Sequence, residues 1–157
     1  MSASLVLRPA HPDDAARLFA WANDPVARAV SFRDAPIAWE THVAWLAAAL
    51  VDPRRRLYIA EQGGSAIGTA RLDRDADDAH VAVVSLNVAP EARGRGLGRA
   101  LLDALANEAR ALGFTQLRAF VKASNDASAK AFVATGYAHV KDVMIEGAAA
   151  LRFERNV

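Results

Sequence analysis

The chain has 157 residues, 53% of them hydrophobic and 24% charged, with 19 basic against 18 acidic side chains and a formal net charge of +1. This length and composition predict one folded domain over residues 1–157 and exclude a disordered chain. The near balance of charge argues against nucleic acid or a membrane surface as a partner, and the absence of cysteine excludes disulfides, thiol nucleophiles and thiolate metal sites.

Hydrophobic periodicity predicts a regular succession of strands and helices. The first half of the chain predicts a strand over 4–8, helices over 15–23 and 39–50, and strands over 57–61, 66–72 and 81–88. The second half predicts a helix over 97–112, a strand over 117–122, a helix over 126–134, and strands over 137–145 and 148–154. This order indicates an α/β chain with a mixed sheet and helices on both faces.

Three connections carry further expectations. Residues 26–37 lack a regular period and predict a loop or short helix, the best candidate for a variable lid. The glycines of QGGS at 62–65 predict a hairpin, and 73–78 reads as an acidic turn. The following segment, 81–88, is apolar almost throughout, as expected of a central strand covered on both faces.

The segment RGRGLG at 93–98 joins this central strand to the helix that begins at Leu97. Its glycines allow the backbone to approach a ligand closely, and the helix directs its unpaired N–H groups and positive dipole end to the same place. Arg93, Arg95 and Arg99 add charge that suits phosphate oxygens. The joint therefore predicts an anion site.

Spacing excludes two familiar nucleotide motifs at this joint. A dinucleotide fingerprint needs a glycine three residues after Gly96 or Gly98, where Arg99 and Leu101 stand. A Walker loop needs a lysine directly after its last glycine, and no glycine of this chain has one. A glycine-rich turn with its arginines in solvent remains the alternative.

RGRGLG, placed between an apolar strand and an amphipathic helix, resembles the Arg/Gln-x-x-Gly-x-Gly/Ala signature of the GNAT N-acetyltransferase superfamily. A second match lies downstream, where Asn125, Ser128, Phe132 and the pair Gly136-Tyr137 resemble the family's Asn-x-x-Ser/Ala, aromatic and Gly-Phe/Tyr segment. The opening LVLRPA with its two aspartates is also similar. The resemblance spans the chain and implies a mixed, mostly antiparallel sheet of six to seven strands flanked by about four helices.

The resemblance implies acetyl-CoA as the donor and no metal. The pyrophosphate would lie against the amides of the glycine loop, the pantetheine arm would run beside the central strand as an added strand, and Asn125 would touch the far side. The residues assigned to the cofactor are Leu86, Asn87, Val88, Arg93, Gly94, Arg95, Gly96, Leu97, Gly98, Arg99, Asn125, Ser128 and Lys130. Asn125 could equally be only the N-cap of its helix.

The implied reaction is direct attack of a neutral amine on the thioester, whose developing negative charge an amide near Leu86 would stabilise. The position of the glutamate base in many relatives is Ala82, and His80, two residues earlier on the same side of the strand, is the base candidate. The tyrosine that protonates the departing thiolate in many relatives is replaced by Phe132. Either no side chain protonates the thiolate, or water, Ser128 or Tyr137 does, although Tyr137 better fits the family's core aromatic position.

The pattern W-x-N-D-P, R, S-F and W-E-x-H at 21–42 resembles acetyltransferases of nucleotide-linked amino sugars, as in pseudaminic-acid-type pathways. Aromatic faces with Asn, Arg and His would suit such an acceptor. The substrate candidates are Trp21, Asn23, Arg28, Phe32, Trp39 and His42. Trp45 is expected in the core. The ribosomal-protein N-terminal acetyltransferases open similarly and are the second candidate.

A non-catalytic sensor of acetyl-CoA is the candidate from another class, suggested by Ala82 and Phe132. The four histidines, at 11, 42, 80 and 139, lack the spacing of zinc ligands, and Gly64-Ser65 lacks the second glycine of a nucleophile elbow. The opening MSASLVLRPA has no signal-peptide pattern and no apolar run reaches membrane-spanning length, so a cytoplasmic protein is expected. The exposed edge of the last strands could pair two copies as a homodimer.

Overall fold

A computed structural model of the protein describes residues 4–157. The helices are α1 (Ala15–Ala22), α2 (Pro25–Ala29), α3 (Trp39–Val51), α4 (Leu97–Ala111) and α5 (Asp126–Ala134). The strands are β1 (Leu5–Pro9), β2 (Arg55–Gln62), β3 (Ser65–Arg74), β4 (Val81–Val88), β5 (Gln116–Lys122), β6 (Ala138–Ile145) and β7 (Ala148–Asn156). Short 3-10 turns at Pro12–Asp14 and Pro90–Ala92 precede α1 and follow β4. The order predicted from the sequence is confirmed, with α2 as the short helix of the irregular segment.

The seven strands form one sheet in the order β1-β2-β3-β4-β5-β7-β6. Every neighbouring pair is antiparallel except β4 and β5, which are parallel because α4 crosses between them. Four successive residues of β2, Leu57 to Ala60, are buried, so both faces of the sheet are covered. The predicted mixed, mostly antiparallel α/β fold is confirmed, with five helices rather than about four.

The parallel pair at the centre of the sheet is short. Only Val81, Ala82 and Val83 of β4 are in register with β5, on Gln116 to Arg118. Both strands continue beyond this point, β4 to Val88 and β5 to Lys122, but they separate as they do so. The separation opens a wedge-shaped gap between the two strands, which we call the wedge. The hydrophobic periodicity of the sequence does not predict it.

The apolar stripe of α4 faces the sheet. Leu101, Leu105 and Ala109 are all 0% exposed, which confirms the face predicted from their spacing. The helix ends before Gly113, whose φ of +89° is the left-handed conformation that glycine adopts at this position without strain. This packing fixes the start of α4 next to the end of β4.

The irregular segment between α2 and α3, residues 30–38, lies over the wedge, and we call it the lid. The end of the lid is held by Asn23, whose side chain accepts from the N–H of Ile37 at 2.7 Å and donates to its carbonyl at 2.9 Å. Within residues 4–157, no helix has the length and hydropathy needed to cross a membrane. The first three residues of the opening segment considered as a signal peptide lie outside the described part.

Candidate active site

A cavity of about 850 Å³ opens where β4 and β5 separate. Its walls come from the lid with α2 and α3, from the adjoining parts of β3 and β4, and from the end of β5 with the start of α5. The polar and aromatic residues that line it are Arg28, Ser31, Arg33, Thr41, His42, Trp45, Thr69, Arg71, Ser85, Asn87, Phe120, Lys122, Asn125, Ser128 and Phe132. This cavity is the candidate active site.

The second half of β4 presents backbone groups to this cavity. The N–H of Ala89 donates to the carbonyl of Ile67 (2.8 Å), and the carbonyl of Val81 accepts from Asp75 (2.9 Å), so odd-numbered residues of β4 bond on the β3 side. Backbone groups alternate in direction along a strand, and those of Leu86 therefore face the wedge. Because the register with β5 ends at Val83, an extended ligand could take the place of a strand there.

The glycine loop, residues 93–98, leads from β4 to α4 with an open backbone. Gly94 and Gly96 have φ of +79° and +72°, a conformation that side chains rarely adopt. A Cβ added at Gly94, Gly96 or Gly98 would meet no atom within 4 Å, and no side chain caps the start of α4. The loop therefore has open space beside its amides, at the positive end of a 15-residue helix.

The arginines of the loop differ in their partners. Arg93 forms an ion pair with Asp24 of the α2 N-cap at 2.8 Å, and this hydrogen bond holds the pKa of Asp24 below its usual range. Arg95 donates to the carbonyl of Glu91 at 3.0 Å, whereas Arg99 is exposed on the first turn of α4. Leu97 is 7% exposed and packs in the core, so it can offer only its backbone.

The start of α5 forms the opposite wall. The side chain of Asn125 accepts from the N–H of Ser128 at 3.2 Å, so the N-cap role considered from the sequence is confirmed, and both residues also line the cavity. Lys130 lies exposed on α5 outside the cavity lining. Phe132 also lines the cavity, and its ring packs edge-on against that of Tyr137 with 4.9 Å between the ring centroids.

Two candidates for proton transfer, His80 and Tyr137, lie outside the cavity lining. His80 is exposed in the turn before β4, six residues before Leu86 and therefore about 20 Å along the strand from it. Its position corrects the hypothesis that it faces the acceptor as a base. The hydroxyl of Tyr137 is buried and has no hydrogen-bond partner among residues 4–157, and this burial raises its pKa far above the ordinary value. Tyr137 is thus a core aromatic residue, as expected.

The acceptor residues chosen from the sequence separate into two groups. Arg28 and His42 line the cavity, although His42 is only 4% exposed, whereas Trp21 packs in the core outside the cavity lining. Asn23 is occupied by its two bonds to Ile37 and holds the lid in place.

The two remaining aromatic candidates also lie outside the cavity lining. Phe32 is half-buried in the lid, and Trp39 is 43% exposed and packs edge-on against Phe19 with 5.2 Å between ring centroids. The expected stacking of an acceptor on Trp21, Phe32 and Trp39 is corrected, since none of the three faces the cavity.

Sequence reasoning missed a polar cluster on the sheet. Trp45, expected in the core, lines the cavity with Arg71 beneath its ring, 5.5 Å from the guanidinium carbon to the centroid. Arg71 also reaches Ser85 on β4, and Lys122 ends β5 on the far wall. The available signal was polar residues at every second position of otherwise apolar strands, which marks one face as a site.

No group of three or more histidine and carboxylate side chains in the described range, 4–157, is arranged to hold a metal ion.

Comparison with known proteins identifies relatives of this chain. The family described as Acetyltransferase (GNAT) family matches residues 12–137. An IAA acetyltransferase from Azospirillum brasilense is 34% identical over 68 residues, a match that covers 43% of this chain and only 44% of that relative's length.

Two solved structures have the same fold. Ribosomal-protein-alanine N-acetyltransferase from Brucella melitensis is 26% identical, with a TM-score of 0.83 over 97% of this chain and 99% of that chain. Spermidine N-acetyltransferase from Vibrio cholerae, solved with CoA and spermine, is 16% identical, with a TM-score of 0.89 over 98% of this chain and 95% of that chain. The second likeness concerns the fold alone.

Proposed function

The chain belongs to the acetyltransferase (GNAT) family, and from this premise we propose that it moves the acetyl group of acetyl-CoA to a primary amine. The observation that carries the proposal is the wedge between β4 and β5, which leaves the backbone of Leu86 facing an 850 Å³ cavity without a strand beside it. When bound, acetyl-CoA supplies the acetyl group as a thioester.

The residues present fit this donor in three places. The open amides of Gly94 to Gly98 and the start of α4 suit the pyrophosphate, because backbone N–H groups and a helix dipole there favour an anion. The backbone of Leu86 and Val88 would bond the pantetheine arm as a strand would. Asn125 and Ser128 close the other side of the same cavity.

The chain must also remove a proton from the amine, which attacks the carbonyl carbon only when it is neutral. The Leu86 N–H would donate to the thioester carbonyl oxygen as negative charge grows there, and breaking of the carbon–sulfur bond would release the CoA thiolate, which would take up the proton that the amine loses. We assign the proton transfer to His42, because its Nε2 lies 3.0 Å from the Ala15 carbonyl, which can only accept, so that Nδ1 is the basic nitrogen. His42 lines the cavity, whereas His80 does not.

Two acceptor classes remain proposals. A nucleotide-linked amino sugar follows from the sequence resemblance and is supported by Arg28 and His42 in the cavity lining. A protein N-terminus is the second candidate, supported by the 26% identity with the ribosomal-protein-alanine N-acetyltransferase. A homodimer through the sheet edge at β6, where Val140 and Met144 are exposed, also stays a proposal.

The test is release of CoA thiol from acetyl-CoA with a panel of primary amines, beside calorimetric titration with CoA. We expect release that needs both substrates. CoA binding without release by any amine would contradict the proposal and favour the sensor.

His42→Gln should lower kcat by about 100-fold or more, as for other proton-transfer residues, with the Kd for CoA unchanged. An unchanged kcat would remove His42 from the mechanism.

A further inference from the structure

The cavity is lined by positive charge alone. Four cationic side chains reach it, and none of the described residues that line it is Asp or Glu. The four are Arg28, Arg33, Arg71 and Lys122. We propose that the acceptor is a primary amine that also carries an anionic oxygen group, a carboxylate or a phosphate, and that Arg71 and Lys122 bind this group. This inference rests on the proposed acetyl transfer and specifies its acceptor.

Arg71 is held in a defined orientation on the sheet. Its Nε donates to Asp73 Oδ2 at 2.8 Å, and its guanidinium lies 5.5 Å from the centre of the Trp45 ring. Nη2 is 3.5 Å from Ser85 Oγ, so the end of the guanidinium is turned towards β4. A guanidinium fixed from its Nε edge keeps its terminal nitrogens available for a carboxylate or phosphate, which arginine binds through two parallel hydrogen bonds.

Lys122 and Arg28 carry charge that no carboxylate balances among residues 4–157. Lys122 Nζ donates to the carbonyls of Ala29 and Ser31, at 3.1 and 3.4 Å. Arg28 also donates to backbone carbonyls, among them that of Ala22 at 2.7 Å. Carbonyls satisfy hydrogen bonds but leave the full charge in a half-buried cavity, where an anionic ligand would gain most from neutralising it.

Arg33 contributes least to this field. It pairs with Glu146 at 3.1 Å, and its side chain is 82% exposed, so solvent screens it. The unbalanced charge that an acceptor meets therefore comes from Lys122 and Arg28, while Arg71, which is ion-paired with Asp73 at 2.8 Å, offers the hydrogen bonds of its terminal nitrogens.

The position of Arg71 also limits the distance between the anionic group and the reacting amine of the acceptor. Ser85, which its Nη2 approaches, precedes Leu86, the residue proposed to bond the thioester oxygen. One residue along a strand is about 3.3 Å, so the anionic group and the reacting amine should be only a few atoms apart. A polyamine such as spermidine would bring further positive charge beside Arg71, Arg28 and Lys122, and we expect it to be a poor acceptor.

The experiment compares matched acceptors that differ in one charge. CoA release is measured with an α-amino acid against its carboxamide, with an amino sugar phosphate against the free amino sugar, and with spermidine. We expect kcat/KM to be about 10- to 100-fold higher for the anionic member of a pair, as for the loss of one charged hydrogen bond. The first pair tests a carboxylate and the second a phosphate.

Variants then connect the preference to the named residues. Arg71→Gln and Lys122→Gln should each lower kcat/KM about 10-fold for the anionic acceptor. For the neutral member of the pair, each variant should change kcat/KM by no more than about twofold. Arg71→Lys, which keeps the charge but not the planar fork, should retain part of the preference and guards against misfolding of the Gln variant. Arg110→Gln and Lys141→Gln, both exposed and outside the cavity, are the matched controls.

The outcomes separate this inference from the function on which it rests. CoA release that is fastest with neutral amines or spermidine would overturn the anionic acceptor and leave the acetyl transfer standing. Equal losses for both members of a pair in the variants would also overturn it, because they would indicate a structural role alone. Absence of release with every acceptor, with CoA still bound, would overturn the transfer itself.

Discussion

The glycine loop, which follows the end of β4, and the lid, which lies over the wedge, use their polar groups in opposite ways. The loop has open space beside its backbone, since a Cβ added at position 94, 96 or 98 would meet no atom of the described residues within 4 Å. The lid is held by hydrogen bonds within the fold: Asn23, which precedes it, bonds to Ile37, and Ser31 Oγ donates to the carbonyl of Ala27 at 2.7 Å. The first region is the proposed site of binding through backbone groups, whereas the hydrogen bonds of the second hold it in one shape.

This difference explains which features of the two regions could be predicted from the sequence. A backbone site depends on glycines and a helix start, both local properties that the sequence displays. Whether a polar side chain can contact an acceptor depends on whether it already forms a hydrogen bond within the protein. Such hydrogen bonds join distant residues, as Asn23 and Ile37 are 14 positions apart. Three variants test the contrast, from the largest expected effect to the smallest.

Gly98→Glu should weaken CoA binding about 100-fold or more, equivalent to about 3 kcal/mol, because it places a negative charge beside the proposed phosphate site. The fold should tolerate the change, since the Cβ has open space and a carboxylate in the first turn of a helix is favourable. Calorimetric titration with CoA measures the loss.

Gly98→Ala is the control for this variant. It should bind CoA nearly as well as the natural chain, and it should stabilise α4 by about 0.5–1 kcal/mol. If Gly98→Glu folds and binds CoA with unchanged affinity, the glycine loop is not the phosphate site.

Asn23→Ala should act on the lid alone. Loss of the two hydrogen bonds to Ile37 should lower the free energy of unfolding by about 1–3 kcal/mol and raise the KM for the acceptor several-fold. Denaturant unfolding and steady-state kinetics measure the two effects. Asn107→Ala, on the exposed side of α4, is the matched control. A change in CoA affinity as large as the change in acceptor KM would show that the two regions do not act separately.

Asp24→Asn tests the ion pair that joins Arg93 of the glycine loop to Asp24, the N-cap of the helix before the lid, at 2.8 Å. Asparagine can still cap α2, as Asp24 does by accepting from Ala27 at 3.1 Å, so we expect only a small loss of Tm at neutral pH.

The pH dependence of that loss has a defined sign. Arg93 lowers the pKa of Asp24 in the folded chain, so the stabilisation is present above the ordinary carboxylate value, about 3.9, and is lost as pH falls through the folded pKa. Thermal melting from neutral to acidic pH should therefore show the natural chain and the variant converging in acid. A Tm difference that persists below both pKa values would assign the effect to packing.

Much of the fold could be predicted because the patterns are strong and local. The predicted strand 81–88 and helix 126–134 coincide with β4 and α5. The acidic turn was placed too early, since β3 continues to Arg74 through pairing with β2 and β4. That pairing joins residues far apart in the chain, so the composition of the turn could not reveal it.

The sequence by itself determined the family, the order of elements and the proposed phosphate loop, because each depends on short-range spacing of glycine, apolar and capping residues. Only the tertiary structure decided which side chains meet in the wedge. In the structure Trp21 is buried and His80 lies outside the cavity, whereas Trp45, Arg71 and Lys122 lie on the cavity walls. The physical reason is that strand separation and side-chain partnership arise between distant segments, where local periodicity carries no information.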